Sequence, residues 1–418
     1  MNKIVICGLI HDLNLGEHII FETVQYLFKK KLAKSDYIVQ ADLFGRVKSR
    51  VLWNKKDDPF NMIRNNTINV LKKVFSFFNK DISNILSYIE WSISPNGKKR
   101  LIKYFRSIFK EASLIIIDGG GIIECEVHQY QLPLEAIVKV AREMNIPVIF
   151  NAVGLVGIYN EKDFRYKLMK KVLNDDIVKH ISVRDDIDTM NNLYLKTNGK
   201  KAILAADSAV WVSEAFKINK NVNADTIGLG MIRSNIYDDY NLGMSEYDLI
   251  NIWTSIIKEL EKRNYKWKIF CNGFYKDNEL GEKILDKLNI TDKEKYICNV
   301  PNSAYELAEM ISNFKAIICH RLHACITAYS LDIPAIALSW NKKLGYFYKY
   351  IGFPERVLEP NKFDPVIIVD CMEKSIIEGY RDEFTSPNEE NHRLKYRETI
   401  NNSISQALKI VINETNEI

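Results

Sequence analysis

The most constraining feature of the chain is a recurring pair: a short, uninterrupted apolar run, then a stretch with helical periodicity. "KIVICGL" at residues 3–9 precedes "GEHIIFETVQYLFKKKL", where apolar residues fall at three- and four-residue intervals. "ASLIIIDGGG" precedes a glycine turn and "PLEAIVKVAREMN". "IPVIFNAVG" and "VKHISVRD" follow, the latter leading into "DIDTMNNLYLKT", and "KAILAADSAVWV" closes the series. Strands that are apolar at every position and alternate with helices belong to a parallel sheet covered on both faces. The polar stretch 213–225, "SEAFKINKNVNAD", lacks periodicity and reads as a linker. A second series then runs through "TIGLGMIR", "SEYDLINIWTSIIKELEKRN", "KWKIFCNG", "SAYELAEMISN", "KAIICHR" and "IPAIALSW". The predicted architecture is α/β, with two Rossmann-like doubly wound domains, 1–215 and 224–385, facing each other across a cleft. Ligands of such folds bind at the carboxyl ends of the strands. A final helix in 386–418 is a candidate to cross back to the first domain.

At 418 residues the chain exceeds what one hydrophobic core usually supports. A hydrophobic content of 47% with 27% charged residues is that of an ordinary globular protein. No run approaches the length of a spanning helix, and "MNKIVICGLI" reads as a first strand, not a signal peptide. The seven cysteines are scattered and form no CxxC pair, which points to neither a disulfide frame nor a zinc site, and to the reducing cytoplasm. No metal and no nucleic-acid partner is expected, and the oligomeric state is not readable. Charge is strongly polarised. Residues 46–110 hold fifteen Lys or Arg against four acids, a net of +11, which leaves −6 for the rest of a chain whose total is +5. Within that segment Ile68, Leu71, Val74, Phe78, Ile82 and Ile85 recur at helical spacing. A basic amphipathic helix can dock on an anionic bilayer, and it can equally form a lid with a solvated basic face.

Polar residues collect where strands should end. In "HRLH", His320, Arg321 and His323 stand between an apolar strand and a helix. An arginine there can clamp a carboxylate or phosphate with help from the helix N-terminus, and a histidine can exchange a proton near neutral pH. The alternative is two packing histidines beside a surface ion pair. Arg233 follows the first strand of the second series and would add a second cation, unless it is a surface arginine. Gly119, Gly120 and Gly121 after Asp118 permit close approach of a ligand to backbone amides, or simply a tight turn. The pattern is neither G-x-G-x-x-G nor a P-loop. Glu124 could meet a sugar hydroxyl or solvent. Asn14, Gly16 and Glu17 enter the first helix in a capping pattern, and Arg184, Asp185 and Asp207 lie at further strand ends.

Taken in order, these motifs resemble the polysaccharide pyruvyl transferase family. The likeness rests on N-x-G-[DE] (Asn14, Gly16, Glu17), on D-G-G-G (Asp118 to Gly121), on S-V-R-D (Arg184, Asp185) and on D-x-A (Asp207, Ala209). It rests further on the arginine after "GLGMI" and on H-R-L-H-x-x-x-x-A, followed by "IP" and the lysine-bearing "SWNKKLGYFYKYIG". Glu17 stands where aspartate is more usual, and the basic 46–110 segment is an insertion. The resemblance implies a fold similar to two-domain glycosyltransferases of the B type. It also implies transfer of the enolpyruvyl group of phosphoenolpyruvate to a sugar of a cell-surface polysaccharide or its lipid-linked precursor, closing a pyruvate ketal. The first domain would be the acceptor side and the second the phosphoenolpyruvate side. Arg233 and Arg321 would take the donor's two anionic groups, His323 would supply the proton, and Lys342 or Lys343 would add charge to the phosphate pocket. Phosphoenolpyruvate is a co-substrate in this scheme, which calls for no cofactor. A nucleotide-sugar glycosyltransferase and a non-catalytic carbohydrate-binding member are the rival readings.

Overall fold

The computed structural model describes residues 2–46, 80–94, 97–126, 128–157, 159–195, 199–233, 236–239, 243–380 and 392–416. Ile68, Leu71, Val74 and Phe78 of the basic segment lie outside them. Contacts divide the chain into two units. One comprises Met1–Asp12, Val24–Asp207 and Thr399–Ile418; the other comprises Leu13–Thr23 and Ser208–Glu398.

The first unit is built on a parallel sheet of β1 (Lys3–Gly8), β2 (Tyr37–Asp42), β3 (Ala112–Asp118), β4 (Val148–Val153), β5 (Val178–Val183) and β6 (Ile203–Leu204). Their order across the sheet is β2-β1-β3-β4-β5-β6. Ile6 pairs with Ile116, and Ile116 pairs with Ile149. All three are fully buried, which is why these runs carry no polar alternation. Helices α1 (Leu15–Lys29), α2 (Lys80–Ile93), α3 (Lys98–Phe109), α4 (Gln131–Glu143) and α5 (Phe164–Leu173) intervene. In α3, Leu101, Phe105 and Phe109 form a buried i, i+4, i+8 stripe and the basic side chains occupy the rest of the helix. Several of those cations are committed inside the unit. Lys98 pairs with Glu135 at 2.7 Å, Arg106 with Glu143 at 2.6 Å and Arg46 with Asp42 at 2.8 Å. Arg100 donates to the carbonyls of Phe44 and Gly45.

The second unit carries β7 (Thr226–Gly230), β8 (Lys266–Phe270), β9 (Ala316–Cys319), β10 (Ala335–Leu338) and β11 (Val357–Leu358), all parallel, in the order β11-β10-β9-β7-β8. Around them lie α6 (Glu246–Lys262), α7 (Tyr275–Lys287), α8 (Ala304–Ser312), α9 (Leu322–Ser330), α10 (Lys342–Tyr350) and α11 (Pro365–Glu378). Ser245 starts α6 through a reciprocal capping box with Asp248. Leu249, Trp253, Ile256, Ile257 and Leu260 then bury one face of that helix. Each such side chain contributes about 1.5–3 kcal/mol by leaving water. Counted along the chain, the first sheet places its strands 2-1-3-4-5-6 and the second 2-1-3-4-5, the doubly wound order whose reversal lies between the first and third strands.

Three local expectations are revised. "DIDTMNNLYLKT" forms only a turn at Ile187–Thr189 and a wider one at Met190–Tyr194. There the Asn191 carboxamide pairs with the backbone of Ala202 in place of continuing a helix. The linker begins as a helical turn, Val212–Phe216, closed by Lys217 in the left-handed region. Residues 13–23, read as part of the first domain, group with the second unit. The Leu15 amide donates to the Asn272 carbonyl, and Thr23 donates to Ser208. The last helix, α12 (His392–Asn416), is divided by the grouping at Glu398 and Thr399. Its Thr399 hydroxyl accepts from the Ala206 amide, and Ser403 meets His180.

Candidate functional site

At the reversal point of the second sheet, β7 and β9 end side by side, and each is followed by an arginine: Arg233 and Arg321. Arg321 is fixed by Asp277, a fully buried carboxylate in the first turn of α7. The guanidinium donates through Nε (2.9 Å) and Nη2 (2.6 Å) to the two carboxylate oxygens. The Arg233 amide adds a third hydrogen bond to Asp277, at 2.8 Å. This geometry qualifies the expected clamp. One forked edge of Arg321 belongs to Asp277, and three of its five N–H donors remain for a ligand. Asp277 also offsets one positive charge at the site, and the Arg233 guanidinium lies 5.6 Å from the Phe274 ring centroid.

Those termini differ from their neighbours. α6, α8, α10 and α11 are capped by the side chains of Ser245, Ser303, Asn341 and Asp364. α7 and α9, which begin beside the Asp277–Arg321 pair, have Phe274 and Arg321 at the cap position and no side-chain cap bond. Neither start is closed by a cap side chain, and the positive ends of their dipoles favour an anion.

His323 sits in the first turn of α9, 6% exposed, against the loop that leads into α1. A methyl on Gly16 would fall 2.7 Å from Cγ of His323, so glycine is what lets the ring occupy this place. Asn14 holds the loop through Oδ1, which accepts from the Gly16 amide at 3.1 Å. Glu17, in the first turn of α1, is half-buried. The fold thus brings Asn14, Gly16 and His323 together, and Leu15 ties them to Asn272 at the end of β8.

His320 is a different residue from its neighbour. It is fully buried, and Nδ1 meets the Leu338 carbonyl at 2.9 Å and the Tyr237 hydroxyl at 3.2 Å. The rings of Trp253, Tyr237 and Phe363 surround it edge-on. Burial pulls its pKa down to about 4, so the ring is neutral. The expectation that His320 touches substrate is corrected: it packs the core behind the site. Lys342 and Lys343 open α10 beyond β10; Lys342 is exposed, and the Lys343 amide takes the Asn341 cap.

The carboxyl edge of the first sheet also gathers its predicted residues, but to another end. Arg184, 5% exposed, bridges the Asp207 carboxylate and the Gly120 carbonyl. In this arrangement it holds the glycine turn. Gly119 has φ +156°, and a side chain there would meet Ile122 at 2.6 Å. Glu124, 3% exposed, accepts from the amides of Glu126 and His128 and so braces its own loop instead of facing a sugar. Asp118 ends β3 at 1% exposure, and Gly121 closes the turn after it. Nearby Ala152 is held at φ +47°, with its amide on Ser182 Oγ at 2.9 Å. Such a conformation costs of order 1–3 kcal/mol and persists only where the surroundings impose it.

Two residues of this neighbourhood escaped the sequence reading, Asp277 and Asn272. Among the described residues no group of three or more His, Cys, Asp or Glu could hold a metal ion, and no helix is long and apolar enough to cross a membrane.

Comparison with known proteins agrees on fold and family. The chain is similar to UDP-GlcNAc 2-epimerase from Neisseria meningitidis, solved bound to UDP-GlcNAc, at 12% identity and TM-score 0.55, over 98% of this chain and 100% of that one. It is similar to UDP-GlcNAc 2-epimerase from Methanocaldococcus jannaschii at 13% identity and TM-score 0.56, over 98% and 99%. The corresponding values for a putative UDP-N-acetylglucosamine 2-epimerase from Listeria monocytogenes are 9%, 0.56, 99% and 97%. Likeness at these identities shows the fold alone, two Rossmann-like units of the glycosyltransferase B type. No curated protein sequence matches the chain. The model of the family "Polysaccharide pyruvyl transferase" matches residues 14–342, from the loop that packs on His323 to the first residue of α10. The chain is therefore a member of the polysaccharide pyruvyl transferase family.

Proposed function

We propose that the enzyme transfers the enolpyruvyl group of phosphoenolpyruvate to a sugar and closes a pyruvate ketal across two of its hydroxyls. The observation that carries this reading is the Arg321–Asp277 lock at the reversal point of the second sheet, between two helix N-termini without side-chain caps and two residues from His323. Phosphoenolpyruvate bears a phosphate and a carboxylate. The remaining donors of Arg321, the Arg233 guanidinium and the helix amides suit two anionic groups held at a fixed distance. His323 gives a proton to the methylene carbon, leaving a cation at C2. One sugar hydroxyl adds to C2 and returns its proton to His323. The C–O bond to phosphate then breaks, the second hydroxyl adds, and its proton leaves with the phosphate. The products are the ketal and one inorganic phosphate.

In this reading the enzyme is cytoplasmic and works on a saccharide of a cell-surface polysaccharide, carried on lipid at the inner face of the membrane. Ile85, Ile89 and Ile93 support a peripheral dock: they recur every four residues along α2 and are 40–64% exposed. Co-sedimentation with anionic but not neutral liposomes, lost at high salt, is the expected result; equal, negligible binding to both removes the membrane part.

The transfer itself is tested by incubating the enzyme with phosphoenolpyruvate and candidate glycans, with mass spectrometry for the pyruvyl increment and an assay for released phosphate. Glycan modification with a nucleotide sugar and none with phosphoenolpyruvate would replace this reading by a glycosyltransferase.

A further inference from the structure

Asn272 is the second residue after β8, in the turn Cys271–Phe274 that leads to Asp277. Its side chain is 1% exposed, yet both Oδ1 and Nδ2 lack a hydrogen-bond partner. Burying a carboxamide with neither end satisfied costs several kcal/mol by transfer measures, so folded proteins seldom retain such a group without a use for it. Its backbone carbonyl, in contrast, is engaged by the Leu15 amide. Asn272 therefore stands at the join between the Asn14–Gly16 loop, on which His323 packs, and the turn that delivers Asp277 to Arg321. Cys271 beside it feels the charges of both Asp277 and Arg321.

The geometry points to Asn272 as a subsite for a hydroxyl of the saccharide acceptor, a role that rests on the proposed pyruvyl transfer. The chemistry of the carboxamide selects this group. Phosphate and carboxylate oxygens only accept, and would satisfy Nδ2 while leaving Oδ1 orphaned. A hydroxyl donates to Oδ1 and accepts from Nδ2 at once. Because the Asn272 backbone holds Leu15 and its turn leads to Asp277, we assign this subsite to the hydroxyl that adds to C2.

Three measurements on Asn272→Leu and Asn272→Asp test this. First, melting of the unliganded enzyme: an orphaned carboxamide replaced by leucine leaves Tm unchanged or raised, whereas a fall in Tm shows that the group serves the fold and overturns the proposal. This arm holds whatever the substrate. Second, turnover of glycan with phosphoenolpyruvate: Asn272→Leu is expected to lose at least about tenfold in kcat/KM for the glycan, and unchanged turnover overturns the proposal. Third, calorimetric titration of phosphoenolpyruvate alone: Asn272→Leu is expected to bind it like wild type. An equal loss of donor affinity would make Asn272 part of the donor site and overturn the hydroxyl assignment. Asn272→Asp, which keeps an acceptor and loses the N–H donors, is expected to retain more glycan turnover than Asn272→Leu; the reverse order counts against it. If wild type itself ignores phosphoenolpyruvate, the donor reading fails, while the melting arm still decides whether Asn272 is a group the fold leaves unsatisfied.

Discussion

At the carboxyl edge of the first sheet Arg184 is enclosed, bound to Asp207 and to the carbonyl of Gly120. At the same edge of the second sheet Arg321 is 15% exposed, gripped along one side by Asp277 and open along the other. The strand orders are equivalent, so topology alone does not decide what such an arginine does. The difference lies in how many of its donors the fold consumes. Arg184 serves the shape of a glycine turn, and the strained Ala152 nearby marks how tightly that edge is constrained. Arg321 is anchored, which lowers the entropy lost on binding, and still presents donors. The Asp277 carboxylate that anchors it also keeps the site from accumulating charge that would repel its own neighbours.

Removing each arginine separates the two roles. Arg184→Ala leaves the Asp207 carboxylate buried without its cation, and we expect a loss of about 3–5 kcal/mol of stability, visible as a lower Tm and denaturant midpoint. Arg321→Ala likewise strips the buried Asp277 carboxylate of its cation and should also lower Tm, but it alone should lose about 2–5 kcal/mol of donor affinity by calorimetry on the folded protein. Arg321→Lys should not rescue it, because an ammonium cannot bridge Asp277 and a ligand with a planar fork. Equal effects of the two alanine variants on donor affinity would erase the distinction drawn above. Next in size is the proton donor. His323→Ala should lower kcat by roughly 10²–10⁴-fold with donor affinity largely kept. Gly16→Ala should move in the same direction, because its methyl would run into the His323 imidazole and displace it. Normal turnover in Gly16→Ala would mean that the ring position does not matter.

How much of this could be read beforehand follows from where each signal resides. The parallel sheets were legible because most of their strands carry a run of consecutive apolar residues, as in β1, β3, β9 and β10; β2 was missed because as an edge strand it is mostly half-exposed, with only Ala41 and Asp42 buried. Arg321, His323, Asn14 and Gly16 stood out as polar or flexible residues abutting apolar runs. His320 stood out equally and is a core residue. Continuation of the strand turns one histidine inward, and the first turn of α9 carries the other to the Gly16 loop, a division that spacing does not reveal. Asp277 lies in "YKDNELGEK", where an acid in the first turn of a polar helix looks like ordinary helix-dipole compensation. Asn272 in "FCNGF" reads as an Asn-Gly turn, and only burial without partners distinguishes it.

Acid should sharpen the comparison between units, since each holds a histidine that burial keeps neutral. His320 in the second unit and His180 in the first both have pKa values lowered to about 4 from 6.5. The unfolded chain takes up these protons first as pH falls. Their contribution is therefore whole above about pH 6.5 and is lost progressively toward pH 4. For the fully buried His320 the loss is at most on the order of 3 kcal/mol. Melts of wild type and His320→Phe across pH 7.5 to 4.5 should show a flatter dependence in the variant. Identical slopes would place the acid sensitivity elsewhere.

The smallest effect expected is at Lys342, and it asks how far the second edge extends. This lysine opens α10 beyond β10, one strand removed from β9, and its side chain is in water. A solvated ammonium contributes little to a bound anion, typically 0.2–1 kcal/mol, and salt screens it over a Debye length of about 10 Å at 0.1 M. Arg321 differs because its partner is buried and its geometry fixed. Lys342→Ala should therefore weaken phosphoenolpyruvate binding by no more than about fivefold at low salt, and the difference from wild type should vanish near 0.5 M salt. Calorimetric titrations at both salt concentrations measure this directly. A loss as large as that of Arg321→Ala, persisting at high salt, would show Lys342 in direct contact with the phosphate. The anionic pocket would then reach from the β7–β9 reversal point to the start of α10, rather than ending at the Asp277–Arg321 pair.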